Sequence, residues 1–203
     1  QRGYLALSFD PPGTWESPGD INLYTMTNYL KAINELIEYF GNRPTFVLGH
    51  SRGGSMAALA ALKNSCVTKF VSAMGGYSYA PSVYKGLPGE ESWKSRGYKV
   101  EKRDVPSSSS NEVKIFNLPY AFYEDSTQYD MLNGLRKCLK PKLFILGTRD
   151  VTAKPDTIKY AYEQSAPPKE LFALDSDHNY RVHPNLIDTV NKTVGKFLDK
   201  YQN

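Results

Sequence analysis

The stretch Thr45-Phe-Val-Leu-Gly-His-Ser-Arg-Gly-Gly54 constrains the fold more than any other part of the chain. The apolar run Phe46-Val47-Leu48 leads straight into Gly49-His50-Ser51-Arg52-Gly53, and the small-residue helical stretch Ser55 to Ala60 follows. Gly-x-Ser-x-Gly between a strand and a helix reads as a nucleophile elbow. The turn is tight enough to hold the Ser in strained backbone geometry, and side chains at Gly49 and Gly53 would collide across it. Ser51 is then lifted clear of the sheet at a helix N-terminus, where amide groups and the helix dipole favour developing negative charge.

Five apolar runs alternate with helical patterns. Tyr4–Phe9, Thr45–Leu48, Phe70–Met74, Lys142–Leu146 and Lys169–Leu174 are strand candidates. Thr25 to Phe40 places Met26, Tyr29, Leu30, Ile33, Leu36, Ile37 and Phe40 at helical spacing. Met56–Leu62, Gln128–Leu139, Pro155–Gln164 and Pro184–Tyr201 read as further helices. This alternation predicts an α/β fold, with a mostly parallel sheet covered by helices on both faces. The 203 residues, 40% of them hydrophobic, suffice for one domain with a sizeable core.

Residues 77–129 break the alternation. Tyr98–Asp104 and Glu112–Leu118 read as a hairpin, with Pro106–Asn111 as its loop. The segment is dense in aromatics, among them Tyr77, Tyr79, Tyr84, Trp93, Phe116, Tyr120 and Phe122. It reads as a small insertion into a single domain spanning residues 1–203, covering the active-site end of the sheet. Tyr77, Trp93, Phe116, Tyr120 and Phe122 are its candidate substrate contacts. An aromatic satellite core under a long loop accounts for the same composition.

A Ser nucleophile needs a base, and the base an orienting acid. The chain has three His. Strand alternation turns His50 away from Ser51 and makes it a packed structural residue. His183 precedes the final helix and reads as a surface residue at the helix start. His178 follows the last strand, on a loop leaving a strand's carboxyl end, where a base belongs in an open α/β sheet. Asp150 ends Gly147-Thr148-Arg149-Asp150 after another strand and is the first choice for the acid. Asp125 and Asp130 lie in or near the insertion, and Asp175 and Asp177 are too close in sequence to reach the far ring nitrogen of His178. Arg52 and Arg149 flank the site in sequence and read as partners in structural ion pairs, with attraction of an anionic substrate as the alternative.

The order Ser51, Asp150, His178 resembles that of the α/β-hydrolase superfamily. Phe9-Asp10-Pro11-Pro12-Gly13 resembles the turn after the family's fourth strand, and Gly147-Thr148-Arg149-Asp150 its acid turn. Asp177-His178-Asn179-Tyr180 resembles the His motif of the serine esterase and dienelactone-hydrolase-like branches. The resemblance implies a catalytic triad, an acyl-enzyme, no cofactor and no metal. The Arg52 backbone N–H is implied as one oxyanion donor. The family carries three strands before the Tyr4–Phe9 equivalent, and the loop after the third gives the second donor. The expectation here is that those strands precede Gln1 in a longer protein, or come from a separate chain, with a rearranged or degenerate hydrolase as the alternative.

The expected activity is hydrolysis of carboxylic esters of small acyl or aromatic substrates. A thioesterase, acyltransferase or aminopeptidase-like hydrolase would use the same residues, and a non-catalytic binding protein of this fold is the other class. The net charge of +4 is spread over 25 basic and 21 acidic residues without a basic run, so nucleic acid is not implied. No apolar stretch approaches a membrane span. Cys66 and Cys138 follow no metal or redox spacing and read as free thiols in a reducing compartment, hence a cytoplasmic expectation.

Overall fold

Four of the five strand candidates assemble into one sheet. The computed structural model describes residues 3–77, 90–104 and 113–202. Tyr79, Tyr84 and the Pro106–Asn111 loop lie outside the described residues. The chain divides into two compact units, one of residues 1–32 and 80–128, the other of residues 33–79 and 129–203.

The larger unit holds a four-stranded sheet in the order β1-β2-β5-β6. Its strands are β1 (Thr45–His50), β2 (Val67–Ala73), β5 (Lys142–Gly147) and β6 (Lys169–Leu174), and every pairing is parallel. β5 is buried at every position, so the sheet is covered on both faces there, as its continuous apolar sequence requires. The helices of this unit include α2 (Arg52–Lys63), α5 (Met131–Leu135), α6 (Pro155–Gln164) and α7 (Pro184–Lys200). The small residues of α2 let it lie close on β1 and β2, and Met56, Ala57, Ala58, Leu59, Ala60 and Ala61 are all buried. Its C-terminal carbonyls are met by a cation. Lys140 Nζ donates to Ala61 O at 2.6 Å and to Asn64 O at 2.7 Å, which complements the helix dipole.

α5 is shorter than the Gln128–Leu139 helix expected from spacing. Asp130 caps it at one end, its carboxylate accepting from Asn133 N. Turns at Lys137 and Cys138 end it, freeing the chain to enter β5.

Lys142 opens β5 with its side chain fully buried. Its ammonium donates to Cys138 O and Ala166 O at 2.8 Å and to Pro168 O at 3.3 Å, tying the entries to β5 and β6 together. Burial pushes its pKa below the ordinary lysine value. Lys142→Met leaves the inward carbonyls of Cys138 and Ala166 without their donor, while Pro168 O keeps the backbone N–H of residue 142. We expect a loss of about 2–4 kcal/mol, read as a lower urea midpoint at unchanged slope.

The smaller unit contains α3 (Glu90–Arg96), α4 (Ala121–Ser126) and an antiparallel hairpin of β3 (Tyr98–Asp104) with β4 (Val113–Pro119). The hairpin matches the sequence reading almost residue for residue. The two helices were not expected, because elements of six or seven residues are too short to display a helical period. Tyr4–Phe9, expected as a strand, belongs to neither sheet. Leu5 is 80% and Leu7 57% exposed, so the segment has strand composition without a ladder partner among the described residues. α1 (Met26–Tyr39) begins in this unit and continues into the larger one.

Candidate active site

Ser51 sits between β1 and α2 with φ 55° and ψ −121°, a strained conformation for a residue with a side chain. The turn is as tight as the sequence demands. A Cβ on Gly49 would lie 2.1 Å from the carbonyl carbon and oxygen of Gly53. Hydrogen bonds hold the strain in place. Ser51 N donates to Ala73 O at 2.8 Å, and Ser55 N donates back to Ser51 O at 3.1 Å. Ser55 Oγ in turn accepts from Gly76 N at 3.0 Å, tying α2 to the segment after β2.

Three loops at strand carboxyl ends converge here, all within the larger unit. His178 Nε2 lies 2.8 Å from Ser51 Oγ, and His178 Nδ1 lies 2.7 Å from Asp150 Oδ2. A carboxylate only accepts, so Nδ1 carries the ring proton; in the neutral ring, Nε2 then accepts from the Ser51 hydroxyl. The Asp150 side chain is fully buried, that of His178 15% exposed. Asp150 Oδ1 accepts from Thr152 N and Ala153 N, each at 2.8 Å, so both carboxylate oxygens are held.

The acid and base loops are fastened to each other by backbone. Thr148 N donates to Leu174 O at 2.9 Å and Arg149 N to Ser176 O at 3.0 Å. This close approach explains Gly147, where a Cβ would lie 2.7 Å from Ser176 O and 2.8 Å from Met74 Cε. Arg149 pairs with Asp175, Nε to Oδ1 at 3.5 Å.

The other acidic candidates are engaged elsewhere. Asp175 also accepts from Thr148 Oγ1, and Asp177 from Asn179 N. Asp130 caps α5, and Asp125 accepts from the amide and hydroxyl of Thr27. His183 is exposed at the start of α7. Arg52 is the first residue of α2, so its backbone N–H points out of the helix's N-terminal end, beside Ser51. Among the described residues no cluster of His, Cys, Asp or Glu could hold a metal ion, and no helix is long and apolar enough to cross a membrane.

Residues 1–96 match a family model described as the alpha/beta hydrolase fold. The chain has the α/β-hydrolase fold. Solved structures of the same fold include a monoacylglycerol lipase from Paleococcus ferrophilus, 18% identical with a TM-score of 0.73, covering 94% of this chain and 81% of that one. Alpha/beta hydrolase domain-containing protein 10 from mouse is also 18% identical with a TM-score of 0.73, over 95% of this chain and 76% of that one. The esterase domain of a Rhodothermus marinus protein is 15% identical with a TM-score of 0.63, over 88% and 70%. No curated protein matches the sequence. The family match is to the α/β-hydrolase fold as a whole and specifies no branch within it.

In this chain of the α/β-hydrolase fold the candidate substrate aromatics pack on neighbouring groups. Tyr77 is 4% exposed, its hydroxyl donating to Ser72 Oγ at 2.6 Å and its ring edge-on to Phe144. Its hydroxyl and its ring are both engaged within the core. In the smaller unit, Trp93 packs on Tyr120 and Phe122 and donates Nε1–H to Leu118 O at 3.0 Å. Phe122 also stacks on Tyr24, and Phe116 meets Trp15 edge-on at 5.2 Å. These rings form an aromatic cluster within that unit, in which Phe122 is buried and Trp93, Phe116 and Tyr120 are half-buried.

His50 is the site residue that sequence reasoning set aside. Its Nε2 lies 2.8 Å from the backbone oxygen of His178, and its ring sits 4.8 Å from the His178 ring and 5.3 Å from that of Tyr180. Alternation gives no signal that a loop 128 residues later returns to meet it.

Burial, and then the neighbouring His178, lower the His50 pKa from 6.5 to about 4. The unfolded chain therefore takes up this proton more readily than the folded one. Stability falls as pH is lowered from about 6.5, and this contribution is lost by about pH 4. Unfolding titrations of His50→Gln should show a shallower slope across that window than the wild type.

Proposed function

We propose that this chain is a serine hydrolase that cleaves carboxylic esters of small acyl or aromatic acids through an acyl-enzyme. The observation that carries the reading is the unbroken hydrogen-bond chain Ser51–His178–Asp150, with Ser51 held in a strained turn. His178 takes the Ser51 proton as Oγ attacks the ester carbonyl. Asp150 fixes the tautomer and stabilises the imidazolium that forms. The oxyanion develops beside the first turn of α2, where the Arg52 N–H meets it; one such donor is worth about 3–4 kcal/mol. His178 then protonates the leaving alcohol. Water repeats the sequence, releasing the acid and restoring Ser51. Residues of this chain supply every proton transfer, so the route calls for no cofactor. Esterase and lipase neighbours of the same fold agree with an ester substrate.

The test is turnover of a p-nitrophenyl ester series beside matched thioesters and aminoacyl anilides. The proposal expects ester hydrolysis to dominate and Ser51→Ala to lower kcat by about 10⁴-fold or more. A folded wild-type protein that turns over none of the esters, or an Ser51→Ala variant with wild-type kcat, would contradict it.

A further inference from the structure

We infer that His50 is a positioning residue for His178, holding the base's backbone while Ser51, the next residue in the chain, engages its ring. The inference rests on the serine hydrolase reading above and adds a residue that the three-member chain leaves out.

The geometry is that of a two-point brace. Consecutive residues at the end of β1 bind one residue of a distant loop, His50 Nε2 to His178 O and Ser51 Oγ to His178 Nε2, each at 2.8 Å. A carbonyl oxygen can only accept, so His50 must carry its proton on Nε2. The brace therefore requires one tautomer. It also requires no charge. An imidazolium 4.8 Å from the His178 ring would oppose the positive charge that His178 acquires during proton transfer.

The surroundings keep His50 neutral. Around it stand the ring of Tyr180 and the charged or titratable groups of His178, Arg181 and Asp150. Burial, His178 and Arg181 disfavour a proton there, while the His178 carbonyl and Asp150 favour one. A residue that only filled space would need neither a fixed tautomer nor a donor aimed at the base's own carbonyl.

The experiment combines imidazole ¹⁵N spectroscopy with kinetics on p-nitrophenyl acetate. In the wild type, His50 should be neutral and Nε2-protonated from pH 5 to 8. An Nδ1–H tautomer, or protonation near pH 6.5, overturns the inference even if no variant folds. In His50→Phe, kcat should fall ten- to a hundredfold with KM changed less than twofold, and the hydrogen-bonded Nδ1 proton of His178 should broaden or vanish. His50→Gln, whose amide nitrogen can occupy the Nε2 position, should restore most of both. A folded His50→Phe with wild-type kcat and an unchanged His178 proton signal overturns it. Should the wild type show no Ser51-dependent turnover, the hydrolase reading fails by itself. Loss of the His178 proton signal in His50→Phe then still supports the brace, and its persistence refutes it.

Discussion

Asp150→Asn should lower kcat for ester hydrolysis by about 10⁴-fold while leaving the fold intact. The size of the effect follows from which atoms Asp150 uses. One oxygen accepts from Thr152 N and Ala153 N, and an Asn carbonyl oxygen can keep both bonds. The other faces His178 Nδ1 at 2.7 Å, and in the variant an NH₂ group stands there instead. An NH₂ donates, so Nδ1 must accept, and the ring proton moves to Nε2. A ring with its proton on Nε2 points a donor at Ser51 and cannot take the hydroxyl proton. Stability should change little, because the buried loop hydrogen bonds survive. Circular dichroism and a melting curve alongside kcat separate the two effects. A kcat within tenfold of wild type would mean that Asp150 does not set the tautomer.

Gly49→Ala should be the most destabilising single substitution at the elbow. The added methyl would lie 2.1 Å from backbone atoms of Gly53, and backbone cannot rotate out of the way as a side chain can. Either β1 or the first turn of α2 must move, and the turn is tied to the end of β2 through Ser51 N and to the segment after it through Ser55. We expect a loss of at least about 3 kcal/mol, near the upper end for single substitutions. For a chain of this length that is a fall in Tm of roughly 6–12 °C. Activity should be lost even in the folded fraction, since Ser51 cannot keep its strained conformation when the turn opens. A Gly49→Ala protein with wild-type Tm and kcat would show that the turn is looser than its geometry states.

Much of this architecture was legible because local rules specify it. The Gly49–Gly53 turn follows from steric exclusion between near neighbours, and β5 and β6 from short apolar runs bounded by turn residues. Asp150 and His178 could be placed because both hang from the carboxyl ends of such runs. Local rules fail where the decisive contact is distant. Tyr4–Phe9 has the composition of a strand, but a strand exists only with a neighbour to pair with, and a segment's own composition does not specify that neighbour. Lys142 looks like a surface residue until Cys138, Ala166 and Pro168 converge their carbonyls on it. The aromatics of residues 77–129 could be counted but not aimed, because rings that pack on one another and rings that face a substrate have the same composition. His50 was excluded from the site by a sound argument about its nearest neighbour, while its actual partner is the backbone of His178.

The account's central claim is that Ser51 is a nucleophile activated by His178. A fluorophosphonate probe tests it directly, because phosphonylation requires an activated serine hydroxyl and no knowledge of the natural substrate. The account predicts a single covalent adduct on the folded wild-type protein, mapped by peptide mass spectrometry to Ser51 and absent in Ser51→Ala. No adduct on the folded protein, or an adduct that maps elsewhere and persists in Ser51→Ala, would contradict it.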